Sequence, residues 1–132
     1  MYACNGLLFN HESPRRGVNF VTKKIVQGLV RIKQGKQKML ILGNLYSRRD
    51  WGHANDYVES MWKILQQKKA NDFVIATKTS NSVKDFINIC AKKLNIKLIW
   101  KNKGLKEIAI NKLTNKTIIK VDQKLFQRNR SR

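Results

Sequence analysis

An apolar run, Leu7-Leu8-Phe9, gives way to the polar stretch Asn10-His11-Glu12-Ser13-Pro14-Arg15-Arg16-Gly17, and apolar residues return near Phe20 at helical spacing. A strand that ends in a polar loop and re-enters as a helix sets that loop at the carboxyl edge of a sheet, where open α/β sheets bind ligands. Between Asn10 and Arg16 the loop gathers an amide, an imidazole, a hydroxyl and two guanidinium groups. Arginine presents planar, paired donors that suit phosphate. The same stretch also reads as a solvated turn around Pro14, the only proline.

The rest of the chain repeats the alternation. Residues 2–9 read as a mostly apolar strand of the kind covered on both faces in a parallel sheet. From Phe20 to Gln34, Phe20, Val21, Ile25, Leu29 and Ile32 recur at three to four residues, which predicts a helix with Asn19 as N-cap and Gly35 as its stop. Lys23 and Lys24 fall in its first turn, where the helix dipole disfavours cations. A nearby anion would offset that, or both point into water. Met39–Leu42 predicts a short strand, and Tyr46–His53 a loop holding Arg48, Arg49, Asp50, Trp51 and His53. Asp50 or Asp56 could orient Arg49 or cap the next helix, while His53 reads as a structural residue that holds the loop. A helix over Asp56–Gln67 and a buried strand over Phe73–Thr77 follow. Ser82 and Asp85 approximate a capping box that opens a helix whose stripe runs from Val83 to Leu94, with Asn95 as its stop. Lys97–Lys101 reads as a strand, and Glu107–Ile110 and Thr117–Val121 as a hairpin around Thr114-Asn115-Lys116.

With 132 residues the chain suits one small domain, expected over residues 1–126, with a frayed basic tail at 127–132. No run of 18 apolar residues and no signal-peptide pattern occurs, and two isolated cysteines, Cys4 and Cys90, read as buried thiols of a reducing compartment. Cytoplasm is the expected location. Neither histidine has the companions of a metal site. The formal charge of +20 taken alone points to nucleic acid, because clustered cations bind phosphates by releasing counterions. The lysines are scattered through every segment, however, which favours nonspecific polyanion binding at low salt over a dedicated site.

Three further stretches carry a resemblance. The run Tyr2–Gly17, the segment Leu42-Gly43-Asn44-Leu45 and the block Arg49-Asp50-Trp51-Gly52-His53-Ala54-Asn55-Asp56-Tyr57-Val58 resemble the GDP-mannose 4,6-dehydratases, in order and at their spacing. Met61-Trp62, Leu65-Gln66-Gln67 and Val74-Ile75-Ala76-Thr77 continue the match, which is close over about residues 2–103 and weaker over Gly104–Phe126. The resemblance implies an α/β fold, the carboxyl-terminal part of an extended short-chain dehydrogenase/reductase with its substrate-binding subdomain, without the amino-terminal Rossmann half. No glycine-rich phosphate loop occurs in the sequence.

That family oxidises C4 of the mannosyl ring with NADP, eliminates water across C5 and C6 and returns the hydride to C6. Its tyrosine, lysine, threonine and acid would lie upstream of Met1, so the expected set of catalytic residues here is none. The resemblance assigns His11 and Arg16 to NADP, and Asn10, Lys24, Asn44 and Arg49 to GDP-mannose. At Val121-Asp122-Gln123-Lys124-Leu125-Phe126-Gln127-Arg128 the sequence departs from the family pattern, with Gln127 where an arginine contacts the substrate. Three readings stay open: a dehydratase half completed by a separately encoded amino-terminal half, an inactive truncated remnant, and a small basic nucleic-acid-binding protein; a homo-oligomer is a further expected partner. On the first, the strand over residues 2–9 should expose an apolar edge and face.

Overall fold

A computed structural model describes residues 2–127, which pack as two compact units drawn from interleaved stretches. The first takes the chain through Arg16 together with Arg48–Asn81; the second takes Gly17–Ser47 and the chain from Ser82 onward. In chain order the first elements are β1 (Gly6–Leu8), β2 (Asn10–Glu12), α1 (Val21–Lys33), β3 (Leu40–Leu42), β4 (Arg48–His53) and α2 (Ala54–Leu65). There follow β5 (Phe73–Ile75), β6 (Ser80–Ser82), α3 (Val83–Lys93), β7 (Leu98–Lys101), β8 (Ile108–Asn111), β9 (Lys116–Val121) and α4 (Gln123–Gln127).

The second unit is built on a four-stranded sheet in the order β3-β9-β8-β7. The hairpin expected around Asn115 is present as antiparallel β8 and β9, and β3 adds in parallel with Leu40 opposite Ile119. Leu40, Ala109 and Ile119 lie almost fully buried, beside Ile25 and Leu29 of α1 and Ile87 of α3. Ile25, Leu29 and Ile87 of the helical stripes read from the sequence are thus core, whereas Phe20, counted in the first stripe, is exposed. Both helices also stop as expected. Gly35 (φ +73°) and Asn95 (φ +56°) each close a left-handed C-terminal turn, with Lys36 N–H donating to Arg31 O and Ile96 N–H to Ala91 O. The capping box is complete: Asp85 N–H donates to Ser82 Oγ at 3.0 Å, and Ser82 N–H donates to Asp85 Oδ2 at 2.9 Å.

One ionic pair lies in this core. Glu107, 1% exposed, holds Lys84 Nζ at 2.5 Å through Oε1, while Oε2 makes no hydrogen bond of ordinary geometry. Lys84 also sits 4.5 Å from the Trp100 ring centroid and 5.6 Å from that of Tyr46. The neighbouring Glu107 carboxylate raises the Tyr46 phenol above its ordinary pKa, with desolvation adding to the effect.

The first unit is built differently. β1 and β5 form a two-stranded parallel sheet, and β2, β4 and β6 a three-stranded one with Asn10 opposite Trp51 and His11 opposite Gly52. Among its described apolar side chains only Tyr57 and Ile64 are buried. Leu7 and Val74, opposite each other across β1 and β5, are 63% and 66% exposed. An exposed apolar face was expected there, but cover on both faces was not found.

Several boundaries differ from expectation. The strand over 2–9 contracts to Gly6–Leu8, so Cys4 lies outside it, and both cysteines are free and half-buried rather than buried. The polar segments expected as loops are partly strands, since Asn10–Glu12 and Arg48–His53 satisfy their backbones on each other. The cap of α1 is Phe20 without a side-chain bond, not Asn19. Gln127 closes α4, and the rest of the expected frayed tail lies outside the described residues.

Candidate functional site

In the first unit β2 and β4 run side by side, two polar strands that end toward α2. Extended backbone alternates side chains between faces, so consecutive residues serve different surroundings. A cavity of about 400 Å³ is lined by Leu7, Leu8, Phe9, Asn10, His11 and Arg16. A second, of about 520 Å³, shares Phe9 and Asn10 with it and adds Arg48, Arg49, Asp50 and Lys78 among its walls. Asn10, His11, Arg16 and Arg49 therefore line two adjoining cavities of a single unit.

Each group is held by a traceable contact. Glu12 Oε2 lies 3.4 Å from Arg16 Nε. His11 Nδ1 lies 3.3 Å from Phe9 O, and its ring packs on Tyr57 at a centroid distance of 5.2 Å. Tyr57 reaches that position because residue 52 is glycine: a Cβ there would stand 2.5 Å from Tyr57 Cε2 and 3.0 Å from the Thr77 methyl. The Tyr57 hydroxyl is buried without a hydrogen-bond partner among the described residues, and burial, then Asp50 and Asp56, raise its pKa. Arg49 Nη1 donates to Arg48 O at 2.7 Å, and Arg48 donates to the hydroxyl and carbonyl of Ser80.

Asp50, which the sequence offered as a partner of Arg49 or a helix cap, does neither. Its carboxylate accepts the Thr77 amide at 3.0 Å and the Thr77 hydroxyl at 2.8 Å, fixing the turn that carries Lys78 at φ +64°. His53 is the N-cap of α2, its Nδ1 accepting Asn55 N–H at 3.3 Å, in line with the structural role read for it.

Lys24 and Asn44 belong to the second unit. Lys24 lines a cavity of about 410 Å³ with Asn19, Gln27, Arg31 and Gln37, a strongly polar wall bearing two cations. The Asn44 side chain accepts Tyr46 N–H at 2.9 Å and shapes its own turn. Two cations of the first unit's cavity, Arg48 and Lys78, were not singled out as ligand groups. Lys78 follows a predicted strand at its carboxyl end, the position that marks ligand-facing residues in open sheets.

Solved structures share this fold. The protein named RMD from Pseudomonas aeruginosa, complexed with NADPH, matches 90% of this chain and 35% of its own at a TM-score of 0.70 and 18% identity. The dTDP-glucose 4,6-dehydratase of Bacillus anthracis in complex with NAD matches at a TM-score of 0.63 and 16% identity, over 90% of this chain and 32% of its own. At such identities the likeness defines the fold, a Rossmann-like α/β portion of the extended short-chain dehydrogenase/reductases. The model of the family described as GDP-mannose 4,6 dehydratase matches residues 1–132. Proteins of that name from Dictyostelium discoideum and Vibrio cholerae are 49% and 54% identical over 96% and 85% of this chain, and over 36% and 30% of their own lengths. The chain belongs to the GDP-mannose 4,6-dehydratase family and spans about a third of the length of the curated relatives it matches.

Proposed function

We propose that this chain supplies nucleotide-sugar and cofactor contacts for the NADP-dependent conversion of GDP-mannose to GDP-4-keto-6-deoxymannose, a lyase reaction. The observation that carries this reading is the pair of adjoining cavities sharing Phe9 and Asn10, one bearing His11 and Arg16, the other Arg49. A guanidinium, an imidazole and an amide form a donor set that fits a phosphate-bearing cofactor, and Arg49 with Arg48 and Lys78 fits a diphosphate. NADP, when bound, supplies the hydride exchange. The residues of this chain bind and orient: His11 and Arg16 toward NADP, and Asn10 and Arg49 toward GDP-mannose. The acid–base groups come from the amino-terminal half of the family's fold, and the exposed Leu7–Val74 row supports its docking here. Two free thiols fit a reducing, cytoplasmic setting.

Calorimetry with NADP and GDP-mannose, with and without a homologous amino-terminal half, tests the reading. Both ligands should bind the mixture, and Arg49→Ala should weaken GDP-mannose by about 2 kcal/mol, as expected for losing a charge-assisted contact. Absence of binding in the mixture, or an unchanged affinity in that variant, overturns it; the first result marks an inactive remnant.

A further inference from the structure

The +20 charge is not spread evenly over the folded chain. Among the described residues the first unit holds eight cations and five carboxylates, net +3; the second holds seventeen cations and three carboxylates, net +14. A uniform compositional bias would load both. Moreover, the three acids of the second unit are committed internally: Asp85 to the capping box, Glu107 to Lys84, and Asp122 to the Lys124 amide at 2.7 Å. Three carboxylates are too few to balance its surface lysines.

Within that unit a cavity of about 570 Å³ lies where the end of α3 meets β7, with Trp100 on one wall and Asn88, Lys92, Asn95 and Lys97 around it. Trp100 is fixed in orientation, its Nε1–H donating to Asn88 Oδ1 at 2.9 Å. The strand ends bring further cations alongside. Lys112 N–H donates to Lys97 O at 2.8 Å, and Asn111 pairs with both Leu98 and Lys116. Lys92, Lys97, Lys112 and Lys116 are all exposed. The dipole of α3 accounts for Lys92 at its last turn, but not for Lys97, Lys112 and Lys116 at the strand ends.

We infer that this groove binds single-stranded nucleic acid, with one base stacked on the Trp100 face that lines the cavity, opposite the face Lys84 covers, and the backbone phosphates on Lys92, Lys97, Lys112 and Lys116. An oriented aromatic inside a cationic groove is the combination that holds single strands without reading sequence, whereas diffuse charge holds duplexes, membranes and strands alike. Asn88 and Asn95 add amide donors at the groove wall.

The test is fluorescence anisotropy of a labelled twelve-residue oligothymidylate titrated with the full chain across a salt series. Trp100→Leu should weaken binding about fivefold or more and Trp100→Phe should restore most of it, a rescue that bulk charge does not give. Lys92→Gln with Lys97→Gln should flatten the salt slope by about 1.4, two phosphate contacts' worth, while Lys68→Gln with Lys69→Gln in the first unit leaves it unchanged. Equal losses from the two lysine pairs, or Trp100→Leu binding like the parent while circular dichroism shows it folded, overturns the inference. So does preference for duplex DNA or for phosphatidylserine vesicles over the single strand. Should Trp100→Leu unfold, crosslinking of a photoreactive oligonucleotide to the parent decides: label on α3 and β7 supports the groove, label elsewhere refutes it.

Discussion

The two units divide the work of the molecule. Of sixteen buried apolar residues among those described, fourteen lie in the second unit and two, Tyr57 and Ile64, in the first. The second closes a four-stranded sheet over two helices; the first holds short strands together by pairings far apart in sequence, β1 with β5 and β2 with β4. Its strands are polar where they carry the cavity residues, so the backbone ladder does what apolar packing does elsewhere. Candidate ligand groups and core stability are thus largely segregated. Side chains such as Arg49 that must meet a phosphate have to stay near water, and cannot also be core.

Removing Lys84 should give the largest effect and tests whether the second unit's stability is as concentrated as it looks. Lys84→Met leaves Glu107 buried without its cation, at a cost of about 3 kcal/mol in urea unfolding, while adding Glu107→Leu should recover most of it. A neutral Lys84→Met would break the contrast. Gly52→Ala comes next, at about 1–3 kcal/mol, because the new methyl must displace Tyr57 or Thr77. Hydrogen exchange should show the loss in β2 and β4 of the first unit and leave β8 and β9 protected.

Tyr57→Phe should be the smallest, within about 1 kcal/mol at neutral pH, since it deletes a buried hydroxyl that has no partner. Its pH dependence sharpens the comparison. The Tyr57 pKa is raised on folding, so its contribution is fully present below the unfolded value near 10 and is lost as pH rises through the folded one. An alkaline melt should therefore destabilise the parent more than Tyr57→Phe. Identical alkaline curves would show that this hydroxyl is not desolvated.

Legibility followed the range of the interactions. The stripe Ile25–Leu29–Ile32, the Ser82–Asp85 box, and the stops at Gly35 and Asn95 are local, and each is where the sequence puts it. The strands Asn10–Glu12 and Arg48–His53 were hidden, because neither alternates apolar and polar residues and each exists only through the other. Asp50 was misread for a similar reason. Its partner Thr77 is 27 residues away, and nothing near it in the chain announces that bond. The uneven charge escaped notice too, since the units interleave along the chain and a linear count averages them.

The amino-acid sequence alone determined the α/β class, the family and the residue types available to grip phosphate, since these rest on periodicity and on motifs that need no neighbours. Only the tertiary structure decided which of those residues share a cavity, that Tyr57 lies beneath Gly52, and that most of the net charge collects in one unit. Those facts depend on which distant segments come together, and pairing across the fold is fixed by the packing of the whole rather than by any stretch read by itself.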